Sequence, residues 1–289
     1  MNFGAHISIE GGIGKAPKRA HTIGCECFQM FSRSPHGGKA ADISKEKADE
    51  FKKERKKYKL KGCYIHTPYY INLASTDNRI YYGSISAIRK ELEVADLIGA
   101  EAVVTHLGSA RELGKAEADK KLVQGLVKIF RHSPASKKET KFKAVLLLEI
   151  TAGAGEIMGD SFEEISNFIK ETEKEVRKNK LGVCFDTAHA FASGYDLRNE
   201  KAVKKTFDRF DNMIGLERLG LIHCNDSLAD FGSHVDRHDN IGSGKIGLAG
   251  FEAILNDARL KNMDLIIETP NGKEKEDIGK LRSIIKKLR

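Results

Sequence analysis

At 289 residues the chain is long enough for one large α/β barrel, a fold that takes about 250 residues. Hydrophobic residues make up 40% and charged residues 31%, which allows a sizeable core under a solvated surface, and no stretch approaches the ~20 apolar residues of a membrane span. The net charge of +8 points toward a polyanionic partner, although Lys52-Lys53-Glu54-Arg55-Lys56-Lys57 and Lys286-Lys287 supply much of it and equally suit solvated helix faces.

The first apolar segment, 3–7, carries Gly4 and His6 and leads through Gly11-Gly12 to a helix-compatible run over 13–23. A second strand at 25–31 is followed by Ser34-Pro-His-Gly-Gly38 and a charged helix near 45–58. The third strand, 63–66, gives way to Thr67-Pro68 and a long helical pattern over 78–97 that Gly99 ends. The fourth, 102–105, stops at His106, and a helix over 116–130 follows. The fifth, Ala144-Val-Leu-Leu-Leu148, reads as buried on both faces and stops at Glu149. After Thr151-Ala-Gly-Ala-Gly155 comes a helix over 162–177, begun by Ser161 and Glu164 in capping-box spacing. The sixth strand, 181–185, ends at Asp186, the seventh, 219–222, at His223, and the eighth, 265–267, at Glu268, before a final helix over 273–288. Eight strands alternating with helices, without a composition break or linker, predict a single TIM (β/α)8 barrel over 1–289, with a doubly wound open sheet as the structural alternative.

His66, His106, Glu149, Asp186, His223 and Glu268 each stand where an apolar strand ends, and in a parallel barrel those ends share one face. Any one of them suits a hydrogen-bonded loop position. Together they would bury several carboxylates near one another, which is costly unless cations neutralise them. Asp186-Thr-Ala-His189 adds an imidazole one turn on, and Asp236-Arg-His238 two ligands on one side of an extended segment. This mixture of imidazoles and carboxylates suits Zn²⁺ or Mn²⁺ better than Mg²⁺, and nine ligands exceed what one tetrahedral ion needs. Metal clusters of this kind suit phosphate-ester hydrolysis, with Arg237 placed to touch a phosphate oxygen or, alternatively, turned to solvent. Gly242-Ser-Gly-Lys-Ile-Gly247 is phosphate-loop-like in composition only, so no nucleotide cofactor is expected. The five cysteines fall in or beside apolar runs and are expected to be free, and Cys25-Glu-Cys27 lacks thiolate-zinc spacing.

In order along the chain, Gly4-Ala-His-Ile-Ser8, Cys184-Phe-Asp-Thr-Ala-His-Ala-Phe-Ala-Ser-Gly-Tyr-Asp196, Asn225-Asp226, Val235-Asp-Arg-His238, Ile241-Gly242 and Glu268-Thr-Pro270 resemble the signatures of the endonuclease IV family of apurinic/apyrimidinic endonucleases. The resemblance spans nearly the whole chain. It implies a TIM barrel with three zinc ions, Mn²⁺ being possible at some sites, that cleaves double-stranded DNA 5′ to abasic sites and trims blocked 3′ ends. It further implies His66, His106 and Glu149 on a first ion, Glu149 bridging to a second held by Asp186, His223 and Glu268, and His189, Asp236 and His238 on a third. Glu149, Asp186 and Glu268 would then form the catalytic centre, with a metal-bound hydroxide as nucleophile and no side-chain nucleophile. Tyr69 resembles a position that probes DNA near the lesion, although a tyrosine there also suits packing. Tyr69, Arg237, His36 and Arg33 are the candidate DNA contacts. A monomer in the cytoplasm, associated with the nucleoid, without a signal peptide or membrane partner, is expected.

Two departures stand out. His36 takes the place where relatives usually carry an arginine, and the aromatic wedge that follows is missing from Ser34 to Gly38. Ile150 replaces an amide after Glu149, which predicts a lost hydrogen bond behind the ligands. The competing readings are a metal-dependent sugar isomerase or epimerase on the same barrel, against which the His189, Asp236 and His238 set argues, and a nucleic-acid-binding module without catalysis, for which ligands should be absent.

Overall fold

Residues 1–37, 43–131, 139–176, 180–270 and 272–288 are described by a computed structural model. Among them ten strands occur in chain order: β1 (Asn2–His6), β2 (Cys27–Phe31), β3 (Gly62–His66), β4 (Ala102–Thr105), β5 (Val145–Glu149), β6 (Leu181–Asp186), β7 (Leu219–His223), β8 (Asp226–Ser227), β9 (His238–Asp239) and β10 (Asp264–Ile267). All but β8 and β9 join in one closed parallel barrel, so the expected TIM barrel is present and the open sheet is not. Closure runs through β1, which pairs with β10 at Phe3 and Leu265 and with β2 at Gly4 and Cys27. A Cβ on Gly4 would overlap the Cys27 carbonyl oxygen, so only glycine lets these two strands meet. β8 and β9 form a short antiparallel ribbon above the barrel.

The helices are α1 (Ala16–Thr22), α2 (Lys45–Lys57), α3 (Asn78–Ile98), α4 (Lys115–Phe130), α5 (Phe162–Thr172), α6 (Thr187–Ala192), α7 (Glu200–Met213), α8 (Gly247–Asn256) and α9 (Glu274–Leu288). Several starts are written in the sequence as side-chain caps: Ser44 accepts from the Lys47 N–H, Asp77 from Arg79 and Asn199 from Ala202. Gly99 ends α3 in the left-handed conformation. At α5, Ser161 accepts from Glu164 as a capping box requires, but the Glu164 carboxylate takes the Gly159 N–H (2.7 Å) instead of closing the box. That helix stops at Thr172, short of the expected end, which lies outside the described residues at 177.

Three helices, α6, α7 and α8, were not among those expected, although the one-turn offset of His189 from Asp186 anticipates α6. α7 buries Val203, Thr206, Phe207 and Phe210, an i, i+3, i+4, i+7 stripe diluted by lysines and aspartates, while α8 emerges from a glycine-rich loop. The stripe of α7 packs into an aromatic cluster with Phe162, Phe185 and Tyr195. Full burial of each such ring is worth about 2–3 kcal/mol.

Inside the barrel a small apolar layer of Cys27, Tyr64, Val104, Leu147, Cys184, Leu221 and Ile266 closes the lower part. The five cysteines are free and buried. Directly above that layer the inward-facing positions turn polar, at the carboxyl ends of the strands. No helix among the described residues is long and apolar enough to cross a membrane.

Candidate metal centre

Strand ends bring the ionisable side chains together. Glu149 is fully buried, and its Oε2 lies 3.0 Å from Nε2 of both His66 and His106. Its other oxygen lies 2.9 Å from His223 Nδ1, which is also 3.1 Å from Glu268 Oε2 and 3.8 Å from Asp186 Oδ2. A third group lies beside α6. Asp186 caps this helix by accepting the His189 N–H (2.9 Å), which fixes the one-turn offset between the two side chains. His238 Nε2 stands 3.6 Å from Asp186 Oδ2 and 3.3 Å from His189 Nε2, while Asp236 Oδ1 is 3.2 Å from His189 Nε2 and 3.7 Å from His238 Nε2.

Three sets of donor atoms, each within 4.8 Å of one another, could therefore hold metal ions: His66, His106, Glu149; Glu149, Asp186, His223, Glu268; and Asp186, His189, His238. The first two reproduce the groupings drawn from the resemblance. In the third, Asp186 takes part as well, and Asp236 approaches from the more exposed side, with 47% of its side chain accessible.

The orientation of the rings tests whether metal fits. His66 Nδ1 faces the Thr67 carbonyl (2.7 Å), His189 Nδ1 the Ile150 carbonyl (3.0 Å), His238 Nδ1 the Glu268 carbonyl (3.2 Å) and His223 Nε2 the Gln29 side-chain oxygen (2.9 Å). Donation to those acceptors leaves the opposite nitrogen of each ring with its lone pair turned toward carboxylates. A lone pair and a carboxylate at such distances repel unless a proton or cation lies between them, so nitrogen and oxygen donors arranged this way could hold metal ions.

The charges are strongly coupled. Burial alone would push the Glu149 carboxyl up, yet His106 and His223 hold it well below the usual carboxylate range. Burial likewise opposes the charged form of Glu268, and His223 and then His6 outweigh it. For His189, burial favours the neutral ring, but Asp186, Asp236 and Glu149 lift it to about 10. Asp236 is pulled down to about 2 by His189 and His238 against its own burial.

The sequence reading missed three supporting side chains. Gln29, in the middle of β2, donates to Glu268 Oε1 (2.7 Å) while its oxygen orients His223. Asn225 donates to Asp186 Oδ2 (2.7 Å) and accepts the Glu268 N–H (2.6 Å), so one amide places two carboxylates. His6 ends β1 with Nδ1 3.2 Å from Glu268 Oε1 and a buried Nε2 without a partner among the described residues. The first strand was expected to run to Ile7, which hid the fact that it too ends on a histidine.

The Ile150 carbonyl accepts from His189 Nδ1 (3.0 Å), a bond that any residue type there would supply, while its aliphatic side chain is fully buried and brings no amide to the ligands. The Gly242–Gly247 loop is also explained: its N–H groups at Gly242, Gly244, Ile246 and Gly247 converge on the buried Asp226 carboxylate. The nest is filled by the chain itself.

The centre opens into a cleft of about 540 Å³ lined also by Phe31, Arg33 and Tyr69. Tyr69 sits edge-on to Phe31 (5.3 Å) yet remains 60% exposed at the mouth. His36 is exposed with its ring 6.3 Å from that of Tyr69, while Gly38 lies outside the described residues. Arg33 turns inward, its Nε 2.5 Å from the buried Glu91, and Arg237 is exposed, its side chain bonding the Asp236 carbonyl alone among the described residues.

The profile of the xylose isomerase-like TIM barrel family matches residues 17–288 and sets the class of the protein. A D-tagatose 3-epimerase-like protein shares this fold at 20% identity (TM-score 0.72, covering 100% of this chain and 97% of that one). Far closer are a probable endonuclease 4 from Cenarchaeum symbiosum, 38% identical over 98% of both chains, and the crystal structure of endonuclease IV from Thermus thermophilus, at 32% identity and TM-score 0.83 over 99% of this chain and 100% of that one. The chain belongs to the endonuclease IV family.

Proposed function

We propose that the protein is a zinc-dependent apurinic/apyrimidinic endonuclease that hydrolyses the phosphodiester 5′ to an abasic site in double-stranded DNA, leaves a 3′-hydroxyl and also trims blocked 3′ ends. The observation that carries this reading is the convergence of three donor groups on Glu149 and Asp186, with every ring whose second nitrogen has a partner turned so that the other faces a carboxylate. His66 and His106 with Glu149 would hold one ion, Glu149, Asp186, His223 and Glu268 a second, and His189, Asp236 and His238 a third, with Asp186 near enough to share. Bound zinc supplies Lewis-acid stabilisation of a phosphoryl centre and lowers the pKa of water, the two requirements of phosphodiester hydrolysis at neutral pH.

The chain's own residues supply the rest. Gln29 and Asn225 fix the carboxylates and so set where charge is presented. Tyr69, exposed at the cleft mouth, offers a ring for the lesion, and Arg237 offers a cation beside Asp236 for a phosphate oxygen. The net charge of +8 favours association with the polyanion.

The test is incision of a duplex bearing one abasic site, with metal analysis of the same preparation. Cleavage lost on chelation and on Glu149→Ala is expected. Robust cutting by metal-stripped protein would sink the reading, and one ion per chain with turnover of a free sugar would favour the epimerase-type alternative.

A further inference from the structure

Between β8 and β9 the chain is largely exposed from 228 to 237, yet this segment carries Asp236 and delivers His238. Something must hold an exposed loop still if two of its residues are to meet His189. The Gly232 N–H donates to the Phe191 carbonyl (3.1 Å) and the His234 N–H to the Ala192 carbonyl (2.9 Å), which fasten the loop to the end of α6, the helix that bears His189. The His234 side chain adds the second anchor, its Nδ1 lying 2.9 Å from the Ala152 carbonyl in the loop that follows Glu149. Asp160 stands 3.8 Å from the same nitrogen. One residue thus joins three segments that each bear candidate ligands.

His234 has φ +55, a left-handed conformation uncommon for a residue that carries a side chain. The opposing residue is Gly153, at φ +75, where a Cβ would come within 2.8 Å of His234 Nδ1. Half of the His234 side chain is accessible, so apolar burial does not explain the fit.

We propose that His234 is a positioning residue whose ring, through its bond to Ala152, sets Asp236 and His238 against His189 and thereby governs retention of the outermost ion; the inference rests on the metal-dependent reading above. Two substitutions separate side chain from backbone. His234→Asn tolerates the left-handed conformation and carries an amide nitrogen as far from the backbone as Nδ1, whereas His234→Gly keeps the conformation and removes the donor. Zinc per chain would be followed through a graded chelator series for both variants and the wild type, together with amide hydrogen exchange over 228–238 in the stripped proteins. Wild type and His234→Asn should release their most weakly held ion alike, and His234→Gly about tenfold more readily, the worth of one hydrogen bond, with faster exchange in the loop. A glycine variant that retains the ion and protects the loop as the wild type does, or an asparagine variant as weak as the glycine one, overturns the proposal. Fewer than three ions in the wild type would instead defeat the reading it rests on, and exchange in the stripped proteins would still decide whether His234 holds the loop.

Discussion

Glu149 Oε1 lies 2.9 Å from His223 Nδ1, and both side chains are fully buried. Since the other Glu149 oxygen serves His66 and His106, one carboxylate couples the third, fourth and seventh strands of the barrel. Replacing Glu149 by glutamine keeps the shape and removes the charge that both donor groups share. Zinc content should fall and abasic-site incision should drop by at least about a thousandfold, the equivalent of several kcal/mol of lost electrophilic stabilisation. Metal analysis beside a single-turnover incision assay checks both parts, and a glutamine variant with full zinc and full rate would contradict the bridging role.

The same coupling makes metal and protons competitors. His189 is raised from 6.5 to about 10, so without metal its contribution to stability is complete below pH 6.5 and is lost as pH rises through about 10. Asp236 is lowered from 3.8 to about 2, so its contribution is present above pH 3.8 and is lost as pH falls through about 2. Metal-stripped protein should therefore lose melting temperature between pH 6.5 and 10, whereas zinc-loaded protein should gain relative to it over the same range, because the ions displace the protons that His189 holds. Thermal scans of the two forms across that range test the sign, and loading a weakly buffered sample near neutral pH should release protons.

Much of this was legible in the sequence because strand ends announce themselves: His66, His106, Glu149, Asp186, His223 and Glu268 stand where apolar runs stop abruptly, and the barrel supplies the shared face. What was not legible lacks that punctuation. Gln29 sits inside an apolar strand, where a polar residue has no local signature of function, and Asn225 acts across 43 residues on the Glu268 N–H. His6 was hidden by a one-residue error in a strand end, and the Ile150 carbonyl orients His189 through a backbone group that no residue type encodes. α7 was hidden by charge, its apolar stripe showing only at helical spacing.

Asp226 offers a prediction about stability. Its carboxylate accepts from the N–H groups of Ser227, Gly242, Gly244, Ile246 and Gly247, the last two opening α8. Removing it leaves a nest of buried and half-buried donors unpaired at a helix N-terminus. Asp226→Ala should cost at least about 3 kcal/mol in urea unfolding, by the usual penalty for several unpaired buried groups, and should loosen 240–247 in hydrogen exchange. A loss below about 1 kcal/mol, the worth of one ordinary hydrogen bond, would mean that water replaces the carboxylate.

Tyr69 separates lesion contact from packing. Its ring touches Phe31 at the edge but is largely exposed, so truncation should spare the fold and the metal groups. Tyr69→Ala should weaken binding to a duplex carrying an uncleavable abasic analogue by about tenfold, as loss of one stacking contact does, with zinc content and melting temperature unchanged. Equal weakening on intact duplex would assign the ring to general DNA binding.

Arg33 poses the sharper choice, because a cation lining the cleft invites a phosphate while its geometry points elsewhere. Its Nε lies 2.5 Å from Glu91, whose side chain is fully buried on α3, and Ser32 bonds the same carboxylate. Burial raises the Glu91 carboxyl, and Ser32 and Arg33 only partly offset it. Arg33 Nη2 is itself buried without a partner among the described residues, in a residue that lines the cleft. If the pair is structural, Arg33→Met should cost about 3–5 kcal/mol, the penalty for stranding a buried charge, and Arg33→Met with Glu91→Leu should recover most of it. If Arg33 also meets a phosphate, the double variant, restored in stability, should still show a salt dependence of DNA binding shallower by about one unit. Measuring stability and salt slope on the same two proteins therefore distinguishes an arginine that only anchors the loop after β2 from one that anchors it and reads the backbone as well.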